Sequence, residues 1–367
     1  MRNIDQMFEK LDNVSLSSVI DFEEKSGLIL DSVNTKISRV PDIFDLIGDN
    51  SFEKLYINNS NSINLVINAL KLKDYSILSN ILPWVYKTYN SQGFSWDFWP
   101  MIYNLWKECI LEFVENQTAA EVLKVYDVMK EYHPDLIEAS KIEGEIDFAF
   151  RNDWKDLQNV FLDKLIQGDH RELLKISKER VKDINDLRDF YLGLIQPVMY
   201  KIGIKWQRGD ITVSEEHLAT SVVGRLMAAL YPVLITNEYN YDKRVIVTSS
   251  PNEFHELGGR MLSDLLESEG WDVSYLGANN PPEEVIKTME KIDPFAICIS
   301  VTMPFNISKA TDLITEIKNN EKLKNKKILV GGIAFNRNKN AWKKTGADDF
   351  SDNAASAVEL LESWYKD

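Results

Sequence analysis

The sequence predicts a mainly helical chain that ends in a parallel α/β sheet domain. Residues 241–367 alternate short apolar strands with helices, the pattern of a doubly wound sheet with five parallel strands. Residues 153–240 carry four successive helical patterns, which predict a compact four-helix bundle. Residues 1–152 also show helical patterns and few strand signals. We therefore predict three domains, with boundaries near residues 152 and 240.

The N-terminal helical region is unusually rich in aromatic residues. An apolar pattern begins at Leu65, and Pro83, Gly93 and Pro100 interrupt it. Two interpretations of the aromatic side chains stay open: a helix–helix core of large rings, or a pocket for a flat conjugated ligand. The aromatic residues concerned are Trp84, Tyr86, Tyr89, Phe94, Trp96, Phe98, Trp99, Tyr103 and Trp106.

The bundle is predicted from helical patterns that are separated by short polar or glycine-containing breaks. Thr212 or Ser214 is a suitable N-cap for the fourth helix. Glu215 and Glu216 fall in its first turn, where carboxylates interact favourably with the positive helix end. The predicted helices span residues 155–167, 170–183, 185–207 and 214–235.

The C-terminal domain is predicted from five short apolar strands that alternate with helices. Ligands of doubly wound sheets bind outside the carboxyl ends of the strands, so the loops that follow the strands are the predicted binding site. The predicted strands are residues 244–248, 273–276, 295–301, 327–330 and 348–350. The predicted helices are residues 256–269, 282–291 and 307–319, and a last helix that ends near Trp364.

Composition excludes several functional classes. The chain has 42 Lys and Arg against 57 Asp and Glu, a net charge of −15, which argues against broad binding of nucleic acid. Two cysteines, Cys109 and Cys298, exclude a disulfide framework and a cysteine-rich metal site. The charged N-terminus does not resemble a signal peptide, and no apolar run reaches the length of a membrane span. We therefore expect a cytoplasmic protein that does not contact the membrane.

The loop after the first strand carries a carboxylate and a histidine at a spacing suited to metal coordination. One ring nitrogen of His255 can bind a metal while Glu253 accepts a hydrogen bond from the other, which orients the ring and raises its basicity. Gly258 would let a ligand pass close to the helix backbone. The alternative is an exposed loop histidine near a helix N-terminus. The loop has no dinucleotide-binding Gly-x-Gly-x-x-Gly motif and no P-loop.

Small residues end the third and fourth predicted strands. Ser300 and Thr302 lie at the end of the third strand, and Gly331 and Gly332 end the fourth. Such residues at adjacent strand ends predict a slot beside the sheet that is wide enough for a nucleotide-like tail. Ordinary tight packing between a strand and the next helix is the alternative explanation.

Together these residues resemble the cobalamin-binding domain. That family's pattern is Asp-x-His-x-x-Gly, then Ser-x-Leu, then Gly-Gly; this chain has Glu253 for the aspartate and Thr302 for the leucine. The resemblance implies a Rossmann-like (flavodoxin-like) domain in which His255 replaces the base of cobalamin as the lower cobalt ligand. It also implies that the nucleotide tail enters a slot lined by Ser300 and the glycine pair, and that Glu253 orients the histidine.

A second resemblance lies in the bundle. The bundle contains Trp206 and, after nine intervening residues, Glu216-His217. This spacing is similar to the Trp-x9-Glu-His signature of cobalamin-dependent photoreceptors. The resemblance implies that the bundle caps the upper face of adenosylcobalamin. In that arrangement Trp206 packs against the adenosyl group, Glu216 holds its ribose, and Val213 lines the pocket.

Two departures from the light-regulated transcription factors of this family affect the expected mechanism. Their tryptophan is followed by a histidine that binds cobalt after photolysis, whereas this chain has Gln207, so water, His217 or another donor would have to fill that site. The N-terminal region does not resemble their DNA-binding domain, so direct DNA binding is not expected.

The N-terminal and C-terminal stretches also resemble photocobilins, which pair cobalamin with a bilin. The matching stretches are around Leu82-Pro83-Trp84, residues 332–336 with Trp342, and residues 346–348. A bilin, such as biliverdin, would stack on the aromatic side chains, with Cys109 as the candidate residue for a thioether attachment.

The resulting prediction is a non-enzymatic light sensor. Light would break the cobalt–carbon bond of bound adenosylcobalamin, and the loss of the adenosyl group would shift the bundle against the sheet domain. The output would be a change of homo-oligomer or of protein partner. The alternative is a corrinoid carrier protein for methyl transfer, which shares the bundle and the sheet domain. A cobalamin storage protein is a further possibility, whereas a mutase would need a (β/α)8 barrel that the sequence does not predict.

Overall fold

The computed structural model of the chain describes residues 2–142, 154–234, 240–337 and 340–366. The chain divides into two compact units, residues 1–145 and 146–367. The predicted boundary near residue 152 lies outside the described residues, and the three-domain division stays a prediction. Mainly helical structure with a five-stranded parallel sheet confirms the predicted fold class.

The described part of the first unit is built from helices. Ser15 caps α1 by accepting a hydrogen bond from the Ser18 amide, and Ser51 caps α3 in the same way through the Lys54 amide. No described helix of the chain is long and apolar enough to cross a membrane. The helices are α1 (Leu16–Ile37), α2 (Ile43–Ile47), α3 (Phe52–Lys71), α4 (Ser76–Ser91), α5 (Phe98–Phe113), α6 (Asn116–Glu131) and α7 (His133–Lys141).

Most of the aromatic residues of this unit pack on one another. The ring of Tyr86 stacks on Trp99 with centroids 4.2 Å apart and an interplanar angle of 6°. Tyr86, Trp99 and Tyr103 are each under 5% exposed, and the hydroxyls of Tyr86 and Tyr103 lie 3.3 Å apart. These contacts favour the helix–helix core over the pocket for a flat ligand. Cys109, the candidate attachment point for a bilin, is fully buried, and burial raises the pKa of its thiol, so it is a poor nucleophile.

The second unit begins with the predicted bundle. The stretch predicted as a single helix over 185–207 contains a π-helical turn, Tyr191–Ile195. At this turn the buried Gln158 amide donates a hydrogen bond to the Gly193 carbonyl. The helices predicted over 170–183 and 214–235 end earlier, at Arg180 and Leu230. The helices are α8 (Lys155–Gln167), α9 (His170–Arg180), α10 (Ile184–Phe190), α11 (Gln196–Gln207) and α12 (Val213–Leu230).

A five-stranded sheet follows the bundle. All its pairings are parallel, in the order β2-β1-β3-β4-β5. The strands are β1 (Asn240–Ser249), β2 (Trp271–Gly277), β3 (Ala296–Ser300), β4 (Lys327–Gly331) and β5 (Asp349–Ser351). The helices between and after them are α13 (Leu257–Ser268), α14 (Pro282–Ile292), α15 (Ile307–Asn319), α16 (Ile333–Arg337) and α17 (Ala354–Lys366). The strand order changes direction between β1 and β3: from β1 the chain adds β2 on one side and then β3, β4 and β5 on the other. This is the switch point where such sheets bind ligands.

The bundle and the sheet domain share one hydrophobic core and two tyrosine–carboxylate hydrogen bonds. The Tyr191 hydroxyl, in the π-helical turn, donates to the buried Asp264 carboxylate on α13 at 2.5 Å. The Tyr231 hydroxyl donates to Glu267, one turn further along the same helix, at 2.6 Å. These bonds fasten the bundle to α13.

We expect Asp264→Asn to stabilise the protein above neutral pH. Burial raises the pKa of Asp264 from 3.8 to about 6 in spite of the hydrogen bond from Tyr191. A raised native pKa means that folding favours the protonated carboxyl. The contribution of this group to the free energy of unfolding is therefore fully present below pH 3.8 and is lost as the pH rises through about 6. An asparagine stays neutral and can still accept the hydrogen bond from Tyr191. The free energy of unfolding at pH 8 should therefore rise by up to about 3 kcal/mol, the equivalent of that pKa difference.

Urea unfolding of parent and variant between pH 4 and pH 8 measures this effect. The two curves should converge at the acid end, and Asp163→Asn on the exposed face of α8 should follow the parent throughout. Parallel curves for parent and Asp264→Asn would contradict the prediction.

Candidate functional site

The loop that carries Glu253 and His255 lies at the switch point of the sheet. It follows β1, and the neighbouring strand β3 ends at Ser300, which pairs with Ser249 at the end of β1. The Ser249 hydroxyl donates to the His255 carbonyl at 2.9 Å, and the Ser250 amide donates to the Ser300 carbonyl at 2.9 Å. These bonds hold the loop against the carboxyl ends of both strands.

Glu253 is a buried carboxylate whose oxygens accept five hydrogen bonds. Oε1 accepts from the His255 backbone amide at 3.2 Å and from His255 Nδ1 at 2.5 Å. Oε2 accepts from the backbone amides of Thr302 at 3.0 Å and Met303 at 2.8 Å, and from Asn306 Nδ2 at 3.1 Å. Glu253 therefore joins the loop after β1 to the loop after β3.

These contacts keep Glu253 ionised and favour a proton on His255 Nδ1. Burial alone would raise the pKa of Glu253, but the hydrogen bonds from His255, Met303 and Asn306 hold it below its ordinary value. Burial would lower the pKa of His255, but the hydrogen bond and charge of Glu253, with the charge of Glu216, raise it. A carboxylate can only accept, so Nδ1 carries the proton and Nε2 is the nitrogen available to a metal.

The surroundings of His255 leave room for a ligand. Its side chain is 54% exposed, although the carboxylate that holds it is 1% exposed. Gly258 lies in the first turn of α13, and a Cβ there would have Ser300 Oγ as its nearest contact, at 3.9 Å. Packing within the protein therefore does not require glycine at this position, and the close passage of a ligand beside it stays a prediction.

The glycine pair after β4 has a different environment. A Cβ on Gly332, which has φ +102°, would lie 2.3 Å from the Val301 carbonyl oxygen. A Cβ on Gly331 would lie 3.0 Å from the Ser351 carbonyl oxygen. Close packing against the backbone at the ends of β3 and β5 therefore accounts for both glycines, whereas the alternative interpretation named packing between a strand and the next helix. That Ser300, Thr302 and this pair line a slot for a nucleotide tail stays a prediction.

The bundle residues predicted to cap the site lie at the end of α11 and the start of α12. Trp206 is partly buried against the core shared by bundle and sheet, whereas the Val213 side chain is 48% exposed. Glu216 accepts a hydrogen bond from the Thr220 hydroxyl at 2.9 Å and lies close enough to His255 to raise its pKa. The His217 side chain is 72% exposed, with Nε2 3.5 Å from Glu216. The contacts of these four residues with a cofactor stay predictions.

The donor chemistry of the site fits a cobalt corrinoid better than a bare metal ion. No cluster of three or more His, Cys, Asp or Glu suited to a metal ion occurs among the described residues. A cobalt held in a corrin ring needs only an axial donor from the protein, and the imidazole of His255 with its carboxylate partner can supply it.

Sequence analysis missed several residues that build this site. Asn306 is 1% exposed, and the backbone amide of Met303 also binds Glu253. Thr302 was predicted to line the slot for the nucleotide tail, but the bond from its backbone amide to Glu253 was not predicted. Asn252, which has φ 62°, receives a hydrogen bond from Asn306 and donates one to it, and its amide donates to Asn279. An asparagine a few residues beyond the third strand was the one available signal, because asparagine often bonds to nearby backbone in turns.

Comparison with known families identifies the ligand class. Residues 157–231 and residues 243–361 each match a family profile described as a B12 binding domain. The first range covers the bundle and the second covers the sheet domain with His255.

Curated relatives agree with these matches. Dimethylamine corrinoid protein 1 of Methanosarcina acetivorans is 24% identical over 162 residues, 44% of this chain and 75% of that protein. Dimethylamine corrinoid protein 3 of Methanosarcina mazei is 26% identical over 163 residues, 44% of this chain and 95% of that protein. The monomethylamine corrinoid protein of Methanosarcina barkeri has a solved structure at 20% identity and TM-score 0.48, with 55% of this chain and 96% of that chain covered. The chain is a cobalamin-binding protein whose bundle and sheet domain are B12 binding domains.

Proposed function

We propose that this chain is a corrinoid carrier protein that presents a methyl group to a separate methyltransferase. The observation that supports it most is the His255–Glu253 pair at the switch point, within a bundle and a sheet domain that both match B12 binding domains. The curated relatives are named dimethylamine corrinoid proteins, which favours this alternative over the photoreceptor. They are corrinoid proteins and not methyltransferases, in agreement with the expectation that the chain is not itself an enzyme.

In this proposal the cofactor supplies the chemistry and the chain positions it. Bound cobalamin would supply a cobalt that can carry a methyl group on its upper face. His255 would bind the lower face through Nε2, and Glu253 would hold the ring in one orientation through Nδ1. As the resemblance to the cobalamin-dependent photoreceptors implies, the start of α12 with Glu216 would cover the upper face, and it would have to move for a partner protein to reach the bound group.

A light sensor is the second candidate, and the arrangement of Trp206 and Glu216 favours it. The two residues lie on either side of the short connection between α11 and α12, and the charge of Glu216 contributes to the raised pKa of His255. They are thus available to contact the upper ligand of a bound corrinoid. In this hypothesis the bound form is adenosylcobalamin. A bilin bound in the N-terminal unit is an additional proposal, and the buried aromatic core of that unit does not favour it.

One titration separates the two functions. The purified chain is titrated in the dark with methylcobalamin and with adenosylcobalamin, and each complex is examined by gel filtration before and after green light. A carrier should bind the methyl form at least as tightly as the adenosyl form and should keep its elution volume after illumination. A light sensor should prefer the adenosyl form, should lose that preference in Trp206→Ala, and should change its elution volume in light.

A transfer assay then tests the carrier function directly. The methylcobalamin complex is mixed with a corrinoid-dependent methyltransferase and its acceptor thiol, and the methylated thiol is measured by mass spectrometry. If the chain binds methylcobalamin tightly but no methylated thiol forms with any such enzyme, a storage protein is favoured. Failure to bind either cobalamin would refute both proposals.

A further inference from the structure

We propose that a polar seam on α13, formed by Arg260, Asp264 and Glu267, is the surface at which the bundle separates from the sheet domain. The inference rests on the proposed function, in which the start of α12 must move before a partner protein reaches the bound group. Because α13 begins two residues after His255, separation along this helix would open the protein beside the proposed cobalt ligand.

The polar seam meets the bundle at three points. Its members have the spacing i, i+4 and i+7, which places them on one face of a helix. A Cβ on Gly224 of α12 would lie 3.4 Å from Nη1 of Arg260, and the two carboxylates accept the hydrogen bonds from Tyr191 and Tyr231. Polar groups are hydrated again when such an interface opens, so it separates at a lower cost than an apolar one.

Tyr191 is fixed on the bundle side of this interface. Pro197 has no N–H, so it cannot donate to the Gly193 carbonyl as an α-helical residue would. The Gln158 amide of α8 donates to that carbonyl instead, at 3.0 Å, and Lys201 Nζ donates to Gln158 Oε1 at 3.0 Å. These bonds join the π-helical turn to α8 and α11. The bond from the Tyr191 hydroxyl to α13 is therefore one that separation would break.

The charge of Asp264 sets how readily the seam opens. Its side chain is 6% exposed, and burial is the largest effect on its pKa, which rises from 3.8 to about 6. The hydrogen bond from Tyr191 and the charge of Arg260 lower this pKa, and the charge of Glu267 raises it. Tyr275 on β2 also faces the carboxylate. In the separated form water would reach Asp264, and its pKa would return towards 3.8.

The difference in proton affinity makes separation depend on pH. The form in the structure binds the proton more tightly than the separated form, so rising pH favours separation. Protonation favours the closed seam fully below pH 3.8, and this effect is lost as the pH rises through about 6. Between pH 5 and pH 8 the ratio of separated to closed molecules should rise about 10-fold. At neutral pH the seam thus contains an ionised, buried carboxylate that favours opening.

The experiment measures the distance between bundle and sheet domain in the full chain. Spin labels are attached at Asp163→Cys on α8 and Thr315→Cys on α15, and double electron–electron resonance is recorded at pH 5 and pH 8. Both positions are exposed, whereas Cys109 and Cys298 are buried and should not be labelled. We expect a second distance whose population, relative to the first, rises about 10-fold from pH 5 to pH 8.

Three variants assign the response to the seam. Asp264→Asn should reduce the pH response to less than about twofold, because an amide does not titrate in this range. Tyr191→Phe removes the donor from the buried carboxylate and should increase the second population at pH 8, with an unchanged circular dichroism spectrum. Glu359→Gln is the matched control: Glu359 is 73% exposed and bonds to Arg188 of the bundle at 3.3 Å, so the parent's response should be kept.

The measurement separates the seam from the proposed function because it is made on the cobalamin-free chain. One unchanged distance at both pH values in the parent, or the parent's pH response in Asp264→Asn, would overturn the inference. A second distance with the expected pH response, but without methyl transfer in the assay above, would refute the carrier function and leave the seam in place. Methyl transfer without any second distance would refute the seam alone.

Discussion

Replacing His255 with alanine is expected to remove the axial protein nitrogen from bound corrinoid. We also expect a loss of affinity of at least about 10- to 100-fold, since removal of only an outer partner of a ligating histidine has an effect of that size. The physical reason is that, among the contacts of the described residues, His255 is the histidine with a half-exposed ring and a buried carboxylate on Nδ1. Without it, the base of cobalamin or water would have to occupy the lower face.

Two exposed histidines elsewhere in the chain provide comparisons for this prediction. His170 is exposed at the start of α9, and His217 is exposed at the start of α12. The protein is loaded with cobinamide, a corrinoid without the nucleotide base, and examined in the cobalt(II) state by electron paramagnetic resonance. Alanine at either position should leave the splitting from the axial nitrogen unchanged. A full signal in His255→Ala, or its loss in His217→Ala, would show that the lower ligand has been assigned to the wrong residue.

The same residues show why the central pair of this site could be predicted from the sequence. Glu253 and His255 are two positions apart, so their spacing alone allows one side chain to orient the other. The residues that complete the arrangement, Thr302, Met303 and Asn306, lie about fifty positions further along. Their part depends on how β3 pairs with β1 and on the direction of two backbone amides, and neither is encoded in a local pattern.

The bounds of helices could likewise be predicted where the local sequence determines them, but not where tertiary contacts do. The predicted helix 155–167 and the predicted helix 307–319 agree with the bounds of α8 and α15, because amphipathic periodicity and end signals are local. The π-helical turn Tyr191–Ile195 was missed within a predicted continuous helix. At that turn Tyr191 bonds to Asp264 on α13, so its surroundings depend on tertiary contacts.

Two glycines of the candidate site should give opposite results when each is replaced with alanine. At Gly332 the added Cβ would lie 2.3 Å from the Val301 carbonyl oxygen and 2.9 Å from two further backbone atoms of Val301. The residue's φ of +102° adds backbone strain of about 1–3 kcal/mol for an L-residue. We therefore expect Gly332→Ala to lower the free energy of unfolding by at least about 3 kcal/mol or to prevent folding.

Gly258→Ala should instead leave the fold intact and weaken cobalamin binding. Its Cβ would meet Ser300 Oγ at an ordinary contact distance of 3.9 Å, and alanine in a helix is favoured over glycine by roughly 0.5–1 kcal/mol. A methyl group in the space beside Ser300, at the edge of the His255 loop, would obstruct a ligand that passes over the helix backbone. We expect unchanged or higher thermal stability without ligand and an increase in Kd of about 10-fold, comparable to the loss of an outer contact in a metal site.

The two variants together test whether Gly258 leaves space for the ligand and whether Gly332 is required for packing of the backbone. Thermal unfolding of the ligand-free protein and titration with cobalamin are measured on both variants and on Gly203→Ala, where nothing lies within 4 Å of the added Cβ. Loss of binding with full stability in Gly258→Ala would place the cofactor over the start of α13. Full stability in Gly332→Ala would contradict the steric role assigned to that glycine, and unchanged affinity in Gly258→Ala would place the cofactor elsewhere along the strand ends.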